Sequence, residues 1–156
     1  MKKFLLIIAA AFCVASASAQ GWGLGARVNA GVQLQGEYQF ASENYLEGRL
    51  GINFVNGLNL DLTVIHQWNV CNWDWTPNAG KWFLDLGAGA QGALFLQENG
   101  GVYAGVVGDA KFGIKFNKVP IKLAVDYTPG LGLLMVNGGG LTGSFFNFGL
   151  SCVYCF

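Results

Sequence analysis

SFFNFGLSCVYCF, residues 144–156, repeats with a period of two. Phe146, Phe148, Leu150, Cys152, Tyr154 and Phe156 fall on one face. Phe145, Asn147, Gly149, Ser151, Val153 and Cys155 fall on the other. Such alternation is the signature of a β-strand between two different environments.

Seven earlier segments repeat the pattern. Trp22–Asn29 sets Trp22, Leu24, Ala26 and Val28 against Arg27 and Asn29. Val32–Ala41 opposes Val32, Leu34, Tyr38 and Phe40 to Gln33, Gln35, Glu37 and Gln39. Tyr45–Phe54 opposes Leu46, Leu50, Ile52 and Phe54 to Glu47, Arg49 and Asn53, and Asn56-Gly57 is a hairpin signal. Leu58–Trp68 opposes four apolar residues to Asn59, Asp61, Thr63 and Gln67. After a connection over Asn69–Gly80, Lys81–Leu96 carries Lys81, Asp85 and Gln91 on its polar face, and Glu98-Asn99-Gly100-Gly101 turns the chain. Val102–Phe116 presents Asp109, Lys111 and Lys115, and Ile121–Tyr127 presents Lys122 and Asp126. Thr128–Gly143 reads as a long Gly-rich loop before the last segment. Its apolar part, Gly130–Val136, reads equally well as an upward extension of strands seven and eight.

An even number of antiparallel segments of about ten residues predicts an all-β, eight-stranded up-and-down transmembrane β-barrel. Closure also removes exposed sheet edges. Alternation alone does not orient the faces, since a soluble barrel binding an apolar ligand has the same period with its apolar side inward. Three features favour apolar-out. Arg27, Arg49, Lys81, Lys111, Lys115 and Lys122 share the polar face with Glu37, Glu47, Asp61, Asp85, Asp109 and Asp126, a balance suited to mutual pairing in a lumen. The apolar face carries no Lys, Arg, Asp or Glu; a charge there costs about 2–4 kcal/mol at a bilayer midplane. Aromatics gather at strand ends, with Trp22, Tyr45, Trp68, Trp82 and Phe116 expected in one girdle.

The N-terminus fits export. Lys2 and Lys3 precede the apolar run Phe4–Val14, and Ala17-Ser18-Ala19 is a cleavage signal, so residues 1–19 read as a signal peptide and 20–156 as one barrel domain. Phe12 before Cys13 disfavours a lipoprotein signal. Of the nine Lys and Arg, Lys2 and Lys3 leave with the leader, against nine Asp and Glu, which removes any charge argument for nucleic-acid binding. Charged residues are 12% of the chain, about half the usual share of ~25%, a poor composition for a soluble secreted domain. Cys71, Cys152 and Cys155 are too few for a disulfide framework, with a Cys71–Cys155 bridge as the one pairing open.

These residues resemble the small eight-stranded outer-membrane barrels of the OmpA-transmembrane-domain or OmpX type, and the Gly-rich style (Leu86-Gly87-Ala88-Gly89-Ala90) looks like the short barrels of Bacteroidota. The resemblance implies location in the outer membrane of a Gram-negative bacterium. It also implies an insertion signal read by the barrel-assembly machinery from Leu150, Tyr154 and Phe156. The twelve-residue Asn69–Gly80 connection departs from that group, whose turns on that side are short.

No catalytic, metal-binding or cofactor-binding residue set is read. His66, the sole histidine, lies on the lipid-facing parity near a rim, with no serine on its strand. The glycines of Gly21–Gly25 lack the strand-then-helix context of a phosphate loop. The chain therefore reads as a non-catalytic outer-membrane barrel with a structural or surface-interaction role and outer-membrane lipid as partner. A small gated pore, with Asp109, Lys111 and Lys115 lining it, is the alternative.

Overall fold

The computed structural model describes residues 21–54, 58–96, 100–135 and 139–156. The leader over 1–19, Asn56-Gly57, Glu98-Asn99 and Val136 lie outside the described residues.

Ten strands form one antiparallel sheet: β1 (Trp22–Val28), β2 (Gly31–Gln39), β3 (Asn44–Asn53), β4 (Asn59–Thr76), β5 (Gly80–Phe95), β6 (Gly101–Phe116), β7 (Ile121–Tyr127), β8 (Gly130–Met135), β9 (Gly140–Ser144) and β10 (Phe148–Cys155). Both β7 and β8 pair with β6 in one uninterrupted register. They are therefore one stave, broken only at Thr128-Pro129, where Pro has no N–H to give. Likewise β9 and β10 form the eighth stave, with an irregularity over residues 145–147. The pairing of β1 with β10 closes an eight-stave barrel.

The registers fix its geometry. Stepping across partners from Val28 through Val32, Ile52, Leu60, Leu94 and Val102 reaches Met135 on the seventh stave. Stepping the other way, through Leu150, reaches Val125 on the same stave. The ten-residue stagger between them (135 against 125), spread over eight staves, corresponds to a strand tilt of about 40°.

Polarity follows the alternation, with the polar side inward. Leu34, Leu50, Val106 and Leu150 are each more than half exposed, whereas Arg27, Gln35, Glu47, Gln67 and Lys111 are 0% exposed. The inward-apolar arrangement of a soluble ligand-binding barrel is not adopted.

Two segments differ from expectation. Asn69–Gly80 is not a long connection: β4 and β5 stay paired down to Thr76 and Gly80, joined by a turn over residues 77–79. Register shifts between Asn69 and Cys71 and between Trp73 and Thr76 reset the alternation, so the period of two is lost on paper while the ladder continues. Of the expected loop Thr128–Gly143, the described parts are strand: Gly130–Met135 extends stave seven and Gly140–Ser144 begins stave eight. Gly132 there and its β6 partner Gly105 make room for a ring: a Cβ at Gly105 would lie 2.4 Å from the Tyr103 hydroxyl, and one at Gly132 2.8 Å from the ring edge.

Candidate functional site: the charged lumen

Inward positions of every stave converge on a layer of buried polar groups. Arg27 from β1 meets Asp126 from β7 side-on: Nε donates to both carboxylate oxygens at 2.8 and 3.0 Å, and Nη2 to Oδ1 at 2.5 Å. Its Nη1 donates to Gln33 Oε1 at 2.9 Å, and Gln33 passes a bond on to Asp61. Arg49 from β3 donates to Glu47 at 2.5 Å and to Asp109 at 3.0 Å. Lys111 from β6 pairs with Glu47 and, at 3.5 Å, with Glu37, which Lys122 also holds. Such pairs offset the desolvation of their members only when the remaining lone pairs are also served; neutral side chains do this for Asp109 and Asp85, while Asp61 Oδ1 has no partner among the described residues. Gln67 donates to Asp109 at 2.6 Å. Asp85 accepts from the Tyr45 hydroxyl at 2.6 Å and from Asn69 at 2.7 Å.

Thr128 is the hub that sequence reasoning missed. Its hydroxyl accepts from Arg49 Nη1 at 2.9 Å and donates to Asp109 at 2.5 Å, so one oxygen ties three staves together. The signal was available: Thr128 lies two positions past Asp126 and keeps its parity. Gln33, Gln35 and Gln67 carried the same signal and are equally buried.

Two expected placements are corrected. Tyr45 is not in the outer girdle. It is buried, on the parity of Glu47 and Arg49, with Lys122 Nζ 4.4 Å from its ring centre. An aromatic at a strand end suggests a girdle, but its phenol finds a carboxylate partner only inside. Lys115 is not in the buried network. With Lys81 it is exposed and lines a cavity of about 280 Å³ at the barrel end that holds residues 21 and 156. Six cations against six carboxylates thus becomes four against six, with Asp61 and Asp85 held by amides and a phenol instead of a cation.

Of the remaining girdle residues, Trp22 and Trp68 are exposed, while Trp82 and Phe116 are half-buried. Trp82 stacks on Phe112 at 5.3 Å and meets Trp75 at 5.8 Å, forming a cluster across β4, β5 and β6. His66 stacks on Trp68 at 4.4 Å and meets Phe40 edge-on. Gly21–Gly25 runs into β1. Cys71, Cys152 and Cys155 are free, so the Cys71–Cys155 bridge is not formed. Among the described residues no group of three or more His, Cys, Asp or Glu is arranged to hold a metal ion. Leu150 and Tyr154 point outward from β10, and the Phe156 amide donates to the Trp22 carbonyl at 2.8 Å across the closing seam.

At the opposite end lies a cavity of about 590 Å³ lined by Tyr103, Phe95, Asn147 and neighbours. The fully buried layer separates the two cavities. Comparison with protein-family models, characterised proteins and solved structures returns no match to this chain.

Proposed function

We propose that the chain is an integral outer-membrane barrel, non-catalytic and non-conducting, with a structural or surface-interaction role. One observation carries this reading: polarity is inverted across the whole wall. The outward face of all eight staves is apolar and exposed, and the ionised groups are inside. In water that wall would be an aggregation surface; in lipid it is a solvated one, and where β1 pairs with β10 the ladder closes and its backbone groups are satisfied internally. The resemblance to OmpA- and OmpX-type barrels, and with it a Gram-negative source, agrees with the eight-stave closure. Leu150, Tyr154 and Phe156 on the last stave are the residues the assembly machinery would read.

The non-conducting part rests on the network, whose charges are spent on one another instead of facing a water column. Outer-membrane fractionation with heat-modifiable gel migration tests location: recovery of the mature chain in the soluble fraction without detergent overturns it. Single-channel recording in planar bilayers tests conduction. A silent protein is expected, and steady unitary currents would make the pore reading correct.

A further inference from the structure

The barrel wall is incomplete at the end away from residues 21 and 156. β1 and β2 stop at a turn over Asn29 and Ala30, but the eighth stave runs on from Leu150, the partner of Val28, back to Gly140. Over that length β9 pairs with β8, and among the described residues nothing pairs with its other edge. On the far side of the gap β2 makes its last pair at Gly31 and Asn53. The result is a lateral notch above the β1–β2 turn. Its flanks are apolar and outward: Leu141 is 71% and Phe146 93% exposed. Ile52 and Phe54 stand exposed opposite.

The 590 Å³ cavity reaches this notch, since Ala30 lines it together with residues 142–148. Three properties define what it would accept. Among the described residues its lining includes no charged one, so an ionised ligand finds no counter-charge there. Its apolar lining includes Ala93, Phe95, Leu134 and Phe145, enough for a chain or ring. Its polar groups are amides and hydroxyls, and the Tyr103 hydroxyl is buried without a hydrogen-bond partner among the described residues, in a residue only 8% exposed. An unpaired buried hydroxyl costs stability until a ligand meets it. The volume lies within the range of small-molecule sites.

We infer that this cavity binds a neutral lipophilic molecule with an uncharged hydrogen-bonding head, of the class of a monoacylglycerol or long-chain alcohol. The ligand enters sideways from the bilayer through the notch above Ala30. The route rests on the membrane reading above; the site does not. A water-borne ligand would instead come from the open end, and a sugar is the neutral candidate for that path.

The test uses the full mature chain in nanodiscs of deuterated phosphatidylcholine. Monolauroylglycerol, sodium laurate and maltotriose are titrated, and nuclear Overhauser contacts to the Tyr103 and Phe145 rings are read. Saturable contacts from the monolauroylglycerol chain are expected. Ala93→Leu, which fills the cavity, should weaken binding by about tenfold or more. Tyr103→Phe, which removes an unpartnered hydroxyl and so leaves the fold intact, should weaken it about fivefold. The proposal is overturned if laurate binds as tightly as the neutral lipid, if maltotriose alone shows contacts, or if neither substitution changes the affinity. Absence of contacts in a chain that fractionates with the outer membrane removes the site and leaves the membrane reading standing.

Discussion

The guanidinium of Arg27 occupies the space that a side chain at Gly149 would need. A Cβ there would lie 2.4 Å from Nε and 2.5 Å from Cζ. Gly149 sits on β10 opposite Asp126, the carboxylate that Arg27 grips. The glycine in the closing strand is therefore the slot for the buried cation.

Gly149→Ala should displace Arg27 from Asp126 and lower barrel stability by about 1–3 kcal/mol, the usual cost of overpacking. Urea unfolding in lipid vesicles reads the shift. Arg27→Lys, with a slimmer head, should partly restore the Ala variant; an additive double variant would show that the glycine acts elsewhere.

Lys111→Met removes the cation shared by Glu47 and Glu37. Leaving a buried carboxylate short of a partner costs about 3–5 kcal/mol. Adding Glu47→Gln should recover a substantial part of that loss. A double variant as unstable as the two single losses combined would mean that the pair does not act as a unit.

Thr128→Val keeps the shape and removes the hydroxyl between Arg49 and Asp109. The expected loss is about 1–3 kcal/mol, the penalty of stranding buried partners. Thr128→Ser should be nearly neutral by the same measurement. A Ser variant less stable than the Val variant would assign the role to the methyl group.

Removal of Phe156 takes away the amide bonded to the Trp22 carbonyl at the seam and, on the proposed reading, the end of the insertion signal. Outer-membrane yield should fall sharply. Pulse-chase assembly at the rate of the full chain would separate the residue from insertion.

The barrel itself was legible because alternation is an unambiguous code when one side is charged and the other is not. Parity put Arg27, Glu47, Asp109 and Asp126 on one face, and the charge balance and charge-free opposite face put that face inside. The code failed where the backbone or the chemistry breaks its own period. The bulges in β4 shift parity at Val70 and hide a hairpin as a loop. Gly130 and Gly132 have no side chain to declare a face, so a packed stave looked like a flexible segment. Tyr45 carries both an apolar ring and a phenol, and only the position of Asp85 across the lumen decides which end matters. Lys115 has the inward parity but sits where the lumen already opens to solvent. Height along a tilted stave is set by the stagger, which no single strand reveals.

The lumen bonds join positions far apart along the chain: Arg27 to Asp126 spans 99 residues, Glu37 to Lys122 85 and Glu47 to Lys111 64. None can form within one hairpin. A growing sheet therefore carries these side chains without their cross-lumen partners until staves one to three curl round to six and seven. Loop-closure entropy is spent before any of these contacts rewards it. Hairpins can assemble early, but their interior charges make every half-curled form a poor resting state. Folding should then be slow and all-or-none, with its barrier at the meeting of β1 and β10 and no long-lived open sheet behind it.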